Sequence, residues 1–306
     1  MLPVGTSRRE MLIWAMPWVF VFIWSTGFIV ARFGMPHAPP LTFLSMRYVL
    51  SIAAFGVWIA LSRALWPRTR VQWLHLAVTG MLMHGGYLGG VWAAVKAGIG
   101  AGTVALLVGL QPMLTALWLT AHAGGSGAHR VAGRQWAGLL LGLVGLALVV
   151  WDKLGVGEVT ALNFALAMLA LMSITIGTLY QKRFVQPCDV RTANTVQLLA
   201  ALAITAPLAL LESEAIVWHP ELIGAVVWSV FGLTLGGSSL LYLLIQRGAA
   251  TQVTSLLYLV PPTTAVLAFL IFGEALTWRM LLGIGLTAAG VAMVLRSAAR
   301  QGPGVR

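Results

Sequence analysis

The chain has 306 residues, of which 59% are hydrophobic and only 9% are charged, and its formal net charge is +11. A soluble domain carries about 25% charged residues, so this composition excludes an ordinary soluble protein and indicates a membrane protein. The single cysteine, Cys188, excludes an intrachain disulfide and a cysteine-based metal cluster. The basic residues are scattered over short segments rather than clustered on one face, which argues against nucleic-acid binding.

Apolar segments long enough to cross a bilayer follow one another along almost the whole chain. A spanning helix needs roughly 20 apolar residues, and it must be helical because lipid cannot satisfy exposed amide and carbonyl groups. We predict ten spans, at residues 14–34, 41–62, 73–97, 101–121, 134–151, 160–183, 192–211, 225–247, 252–272 and 276–296. The first span lacks a small-residue cleavage site, so we expect it not to be a removable signal peptide.

The second half of the sequence repeats the first. At a constant offset of 150 residues, the matched positions are Gly98 and Gly248, Leu106 and Leu256, Leu107 and Leu257, and Pro112 and Pro262. Farther along, at an offset of 145, the matched positions are Gly138 and Gly283, and Gly145 and Gly290. Each half would hold five spans, and an odd number inserts the second half upside down. We therefore predict one membrane unit of two inverted five-helix repeats, residues 1–155 and 156–306, as in many secondary transporters.

The basic residues predict which way the chain lies in the membrane. With the N-terminus in the cytoplasm, 14 of the 19 Lys and Arg residues fall on the inner side and 4 on the outer side. Because loops rich in Lys and Arg stay cytoplasmic, we expect both termini inside. The remaining basic residue, Arg47, lies within the second span, and we expect its side chain to snorkel to the interface or to pair with an outer acid.

Glycines interrupt the third and eighth spans at equivalent places in the two halves. Glycine weakens a helix and permits close backbone approach, and paired glycine-interrupted spans point to a transporter's binding site. The alternative is that these glycines only let helices pack closely. We take Gly86 and Gly236 as candidate hinges. The polar and aromatic neighbours on the two spans are His84, Tyr87, Trp92, Ser239 and Tyr242.

His84 is the one histidine near the middle of a predicted span. An ionisable group at that depth is costly and usually faces a cavity, and a histidine pKa can cross physiological pH. Three roles stay open: a neutral hydrogen bond across helices, direct contact with a substrate, and proton coupling. No aspartate or glutamate lies in mid-span, so the usual carboxylate proton relay is missing.

Prolines mark matched interruptions in the fourth and ninth spans. Gln111 stands beside Pro112, and Tyr258 stands shortly before Pro262. A proline removes a helical hydrogen bond and clashes with the preceding turn, so freed carbonyl groups could face a solute or water. The alternative is a kink that only shapes the bundle. We take both prolines as further candidate hinges.

Three short stretches carry a likeness to a known family: residues 24–28 (WSTGF), 39–43 (PPLTF) and 272–277 (FGEALT). With the ten spans and the repeat, they make the chain resemble the drug/metabolite transporter superfamily, in its ten-helix bacterial exporter branch. The resemblance implies a basket of helices in which the first, third, fourth, sixth, eighth and ninth surround a central cavity. Glu274 has no acidic counterpart in the first half, so we do not expect a role shared by a symmetric pair of acids.

The resemblance also places several aromatic residues on inner helices. Tyrosine and tryptophan offer an apolar wall with a hydrogen-bonding tip, which suits an amphipathic solute. The complete predicted substrate-binding set is Trp24, His84, Tyr87, Trp92, Gln111, Tyr180, Ser239, Tyr242 and Tyr258.

Within the exporter branch, the chain is most similar to exporters of aromatic and other neutral amino acids. We therefore expect a secondary transporter that exports such solutes across the bacterial inner membrane by alternating access. Export of amphipathic drugs is an alternative, and so is a passive facilitator or channel, although no selectivity filter is visible. Without catalytic motifs or a phosphate-binding loop, we expect neither an enzyme nor an ATPase. We expect no cofactor and no metal; the partners would be a small solute and the bilayer, and the simplest oligomeric state is a monomer.

Overall fold

The computed structural model of the protein describes residues 8–121, 133–155, 158–237, 240 and 259–300. The elements in these ranges are all helices, as expected for an all-α membrane protein. In chain order they are α1 (Arg8–Gly34), α2 (Pro40–Ser62), α3 (Arg70–Gly80), π1 (Met81–Gly86), α4 (Tyr87–Lys96), α5 (Ala101–Val108), α6 (Gln111–Ala121), α7 (Gly133–Gly155), α8 (Ala161–Phe184), α9 (Val190–Ala209), α10 (Pro220–Val227), π2 (Trp228–Gly237), α11 (Val260–Phe272) and α12 (Trp278–Arg300), where π1 and π2 are π-helices.

Several helices of the described ranges suit a bilayer by length and composition. Four are long and apolar enough to cross it: Pro40–Ser62, Ala161–Phe184, Val190–Ala209 and Pro220–Gly237. Shorter apolar helices are Trp18–Gly34, Ala101–Thr115, Trp136–Trp151, Val260–Phe272 and Trp278–Met293. The helices follow the predicted spans closely, but parts of the eighth and ninth spans lie outside the described residues. The count of ten spans therefore stays a prediction.

Local sequence explains where individual helices begin and end. α8 begins at a capping box in which Thr160 Oγ1 accepts from the Asn163 N–H (3.3 Å) and Asn163 Oδ1 accepts from the Thr160 N–H (2.9 Å). These bonds satisfy donors that the first helical turn leaves free. α11 ends at Gly273, whose φ of 67° lies in the left-handed region that favours glycine.

Carboxylates gather at one end of the molecule, where they meet the first turns of helices. We call this the acidic end and define it by Glu158, Glu212, Glu214, Glu221 and Glu274. Glu212 accepts hydrogen bonds from the N–H groups of Leu41 (2.9 Å) and Thr42 (2.8 Å) at the start of α2. Glu274 accepts one from Ala101 (3.0 Å) at the start of α5. A helix N-terminus carries partial positive charge, so these carboxylates fasten α2 and α5 to segments from the second half of the chain.

Glycines bring α7 and α12 into close contact. A Cβ added at Gly145 would lie 2.5 Å from the carbonyl oxygen of Gly283, and a Cβ added at Gly283 would lie 2.5 Å from that of Gly145. Gly290 approaches the Gly138 carbonyl just as closely. These four glycines are the ones matched in the sequence repeat, and their small size lets the two backbones approach.

The helix contacts join one half of the sequence to the other. α1 packs against π2 and α11, α2 against α9, α4 against α8, α5 against α11, and α7 against α12. Each pair combines an element from residues 1–155 with one from residues 156–306, so the space at the centre is lined by both halves. The inverted relation of the two halves stays a prediction.

Candidate functional site

A small cavity of about 100 Å³ lies between the two halves of the chain. Its walls come from α1, α2, π1, α4, α8 and π2, and they are mostly apolar. The aromatic, polar and charged residues that line it are Trp24, Phe28, Arg47, His84, Tyr87, Trp92 and Thr234. Concave sites with apolar walls and a few placed polar groups are the usual form of a small-molecule site.

Each half contributes a π-helix to this cavity. A π-helix is rare, and it often occurs at functional sites because it locally changes the helical hydrogen-bond pattern. In π2, the Thr234 hydroxyl donates to the carbonyl oxygen of Ser229, five residues earlier, at 2.8 Å. His84 in π1 and Thr234 in π2 are separated by the repeat offset of 150 residues. The two π-helices therefore present matched positions to the same cavity.

Two consecutive residues of α2 hold both π-helices. Arg47 donates from Nε (3.2 Å) and Nη2 (3.1 Å) to Thr234 Oγ1 in π2. Tyr48 donates from its hydroxyl to the main-chain carbonyl oxygen of His84 in π1, at 2.7 Å. A single turn of α2 thus fixes polar groups on both sides of the cavity.

The expectation that Arg47 snorkels to the interface or pairs with an outer acid is wrong. Its side chain lies inside the bundle, is only 6% exposed, and takes part in no salt bridge among the described residues. Its Cζ lies 5.6 Å from the centroid of the Trp92 ring, within the range of a cation–π contact. The physical reason is that Arg47 stands about two turns inside α2, on the face that packs against the other helices.

Sequence reasoning therefore missed Arg47 and Thr234 as site residues. The signal for Arg47 was present, because a charged residue within a span marks a functional cavity by default. Thr234 could have been found from the sequence repeat, because it is the residue that matches His84 at the offset of 150.

Four members of the predicted set lie together around the cavity: Trp24, His84, Tyr87 and Trp92. The ring of Trp24 packs 5.3 Å from that of Phe20, which supports it from outside the cavity. Trp92 is only 2% exposed, and its Nε1 has no hydrogen-bond partner among the described residues. Three aromatic members, from α1 and α4, thus line one cavity, and their contact with a substrate stays a prediction.

Other members of the predicted set lie elsewhere. The Gln111 side-chain amide donates to Thr178 Oγ1 at 3.2 Å, which joins α6 to α8, and Gln111 is not among the residues that line the cavity. The Tyr180 hydroxyl lies 2.8 Å from His75 Nδ1, in a cluster near the end of α8. The remaining three, Ser239, Tyr242 and Tyr258, lie outside the described residues.

The four candidate hinges differ in their surroundings. A Cβ at Gly86 would lie 2.5 Å from Ser173 Oγ, so this glycine lets π1 approach α8. A Cβ at Gly236 would meet only the Phe231 carbonyl oxygen of its own helix, at 3.1 Å. The fourth span breaks between α5 and α6, just before Pro112, while Pro262 stands in the first turn of α11.

One group of side chains in the described part of the chain has the spacing of metal ligands. His37, His219 and Glu221 at the acidic end place one potential ligand atom each within 4.8 Å of the others. His37 Nε2 lies 3.0 Å from Glu221 Oε2, and the two imidazole rings stack at 4.5 Å. A hydrogen bond and a ring stack between the loop after α1 and the start of α10 account for this closeness.

Comparisons with known proteins agree with this architecture. Two relatives, from Salmonella typhimurium (strain LT2) and Escherichia coli (strain K12), are each named "Probable amino-acid metabolite efflux pump". Each is 25% identical over 281 residues, which cover 89% of this chain and 90% of the relative. The "Uncharacterized inner membrane transporter YedA" of E. coli K12 is 22% identical over 275 residues, covering 89% of this chain and 87% of the relative. A solved crystal structure covers 96% of this chain and 100% of its own, with a TM-score of 0.64 and 18% identity, which shows a shared fold.

The sequence profile of the EamA-like transporter family matches residues 11–151 and again residues 162–296. This agrees with the resemblance to the drug/metabolite transporter superfamily, and the relatives are named as transporters or pumps rather than enzymes. Because the match takes in nearly all of the sequence, the chain belongs to the EamA-like transporter family and is a multi-pass membrane transporter, not an enzyme.

Proposed function

We propose that this transporter exports aromatic and other neutral amino acids across the inner membrane by alternating access. The observation that carries the proposal is the cavity between the two halves, with Trp24, Tyr87 and Trp92 in its wall. Tryptophan and tyrosine bury large apolar surfaces while keeping a polar tip available. The names of the two efflux-pump relatives support a solute of this class.

The size of the cavity favours a small metabolite over an amphipathic drug. Pockets that enclose drug-sized ligands measure roughly 300–1,000 Å³, whereas this cavity measures about 100 Å³. An amino acid would need only a modest outward movement of the lining helices. A drug would need a much larger rearrangement of the same walls.

Alternating access would be a rocking of one half of the chain against the other. This motion is supported by the family profile, which matches each half separately. At the acidic end, Lys96 Nζ lies 2.7 Å from Glu214 Oε1, and Glu212 caps α2. Opening the cavity toward this end would break these bonds. We take the acidic end as the outer face and both termini as cytoplasmic, because the connecting segments near the opposite end are rich in arginine.

Counterflow in proteoliposomes tests the proposal. Vesicles preloaded with unlabelled phenylalanine should transiently accumulate labelled phenylalanine, methionine and threonine, because a carrier exchanges solute across its two open states. A cationic amphipathic drug should neither accumulate nor compete. Equilibration without an overshoot would instead indicate a passive facilitator or channel.

A further inference from the structure

We propose that the cavity recognises its solute by a carboxylate, bound between Arg47 Nη1 and Trp92 Nε1, and that the amino group is dispensable. The substrate class is then apolar monocarboxylates, of which neutral amino acids are one kind. This inference rests on the proposed function, since it takes the cavity as the transport site. It goes further by naming the group that is recognised and the group that is not.

Two buried hydrogen-bond donors without partners meet at this cavity. Arg47 Nη1 and Trp92 Nε1 have no partner among the described residues, although their side chains are only 6% and 2% exposed. Both residues line the cavity. Buried polar atoms in folded proteins nearly always have hydrogen-bond partners. Because both side chains belong to the wall of the same cavity, we infer that a ligand entering it supplies the missing acceptor.

The charge of Arg47 also lacks a counterion. The chain has eight acidic residues, and none lies in the middle of a predicted span. The Glu residues of the acidic end bind helix termini, Lys96 and His37 instead. A guanidinium enclosed in a membrane protein is costly unless an anion accompanies it. A carboxylate would supply that anion, and charge-assisted bonds to arginine are among the strongest hydrogen bonds in proteins.

The guanidinium is held in place before any ligand arrives. Thr234 Oγ1 accepts from both Nε and Nη2 of Arg47, and its own hydrogen is committed to the Ser229 carbonyl oxygen. The Trp92 ring lies beside the same guanidinium, with 5.6 Å from Cζ to the ring centroid. Nη1 is the guanidinium nitrogen that has no hydrogen-bond partner among the described residues. Such preorganisation lowers the cost of ordering the site when it binds.

The described lining residues include no acid that would bind an ammonium group as a guanidinium binds a carboxylate. The undescribed stretch from 241 to 258 contains no aspartate or glutamate either. The guanidinium would also repel a cation placed near it. A solute that carries only an amine should therefore bind more weakly than one that carries only a carboxylate.

The test is equilibrium binding to the purified full-length protein in lipid nanodiscs, with four probes that share one aromatic body. Phenylalanine and 3-phenylpropionate carry a carboxylate; phenylalaninamide and phenethylamine do not. We expect the two carboxylates to bind with similar dissociation constants, and the other two at least about tenfold more weakly, because a hydrogen bond to a charged group is lost. This comparison uses the unaltered protein, so it does not depend on the folding of a variant.

Variants then assign the effect to the two donors. Arg47→Gln should abolish the preference for carboxylates, and Trp92→Phe, which keeps a ring but removes Nε1–H, should reduce it. Arg70→Gln, which alters an exposed arginine at the start of α3, should leave the preference intact. Equal binding of all four probes, absence of carboxylate binding, or an unchanged preference in folded Arg47→Gln would overturn the inference.

The two proposals fail separately. Counterflow of phenylalanine together with equal binding of phenylalaninamide would overturn carboxylate recognition while leaving amino-acid export standing. Carboxylate-dependent binding without counterflow of any amino acid would overturn amino-acid export while leaving carboxylate recognition standing.

Discussion

The hydroxyl of Tyr48 donates a 2.7 Å hydrogen bond to the main-chain carbonyl oxygen of His84. The acceptor belongs to the π-helix that interrupts the third span, so this bond ties the interruption to α2. Arg47, the preceding residue, binds the equivalent π-helix of the second half. One helix, α2, thus holds both π-helices. These hydrogen bonds explain how the glycine-rich π-helices keep a defined geometry.

Removing the Tyr48 hydroxyl should impair transport more than folding. In Tyr48→Phe the ring remains but the His84 carbonyl loses its partner, which should lower the free energy of unfolding by about 1 kcal/mol. We expect counterflow of phenylalanine to fall several-fold. The matched control is Tyr180→Phe, which removes a hydroxyl that pairs with His75 away from the cavity. Equal loss of counterflow in the two variants would show that the α2 link to the π-helix has no special role.

The contact between α7 and α12 should tolerate no side chain at its glycines. Gly283→Leu would place side-chain atoms against the Gly145 backbone, so we expect loss of the folded, detergent-stable protein. Gly285→Leu, two residues away, is the control, because a Cβ there meets nothing within 4 Å. Size-exclusion chromatography of the two variants after solubilisation makes the comparison. A monodisperse elution profile for the Gly283→Leu protein would contradict the close contact between α7 and α12.

Gly86 should matter for transport through its contact with α8. A leucine at this position would push Ser173 away from π1, and we expect strongly reduced flux with normal membrane insertion. Gly85→Leu is the control, since its Cβ has open space. Gly236→Leu separates packing from flexibility, because among the described residues a Cβ at Gly236 would meet only its own helix. Loss of flux in Gly236→Leu as well would indicate that π2 must change shape during transport. Near-normal flux in both Gly86→Leu and Gly236→Leu would contradict a role for either glycine in transport.

The helices and four of the residues that line the cavity could be predicted from sequence for simple reasons. Runs of about 20 apolar residues reveal spans whatever their neighbours are. The glycines of the third span point to His84, Tyr87 and Trp92, and the family resemblance places Trp24 on an inner helix. All four residues line the cavity.

The direction of individual side chains could not be predicted. α2 is apolar on all sides, so its sequence has no polar face to show which residues point inward, and Arg47 was assigned to the interface. The surroundings of Gln111 and Tyr180 could not be predicted for a related reason. Both lie on helices implied to be inner ones, but Gln111 bonds to Thr178 on α8 and Tyr180 to His75, and their role in substrate binding stays a prediction. Only the packing of neighbouring helices fixes such choices.

The orientation of the chain gives a further prediction. After Cys188→Ser, a cysteine at the exposed Ser213 near the acidic end should react with an impermeant thiol reagent from outside the cell. A cysteine at the exposed Arg68, in the loop between α2 and α3, should react only after the membrane is opened. Burial raises the pKa of the native Cys188 thiol, which slows its reaction with the reagent. Cys188 is nevertheless replaced, so that each label reports on the introduced cysteine alone. The opposite labelling pattern would invert the proposed topology.

The central claim is that the cavity between the halves is the transport site, and two tyrosines test it most directly. Tyr87 lines the cavity, whereas Tyr180 lies against His75 near the end of α8. The measurement is the half-saturation concentration for phenylalanine counterflow in Tyr87→Ala and Tyr180→Ala. We predict a rise of roughly 10- to 100-fold for Tyr87→Ala, from the apolar contact it removes. For Tyr180→Ala we predict a change within about twofold. A Tyr87→Ala protein that matches the parent, or a larger effect in Tyr180→Ala, would contradict the assignment of this cavity.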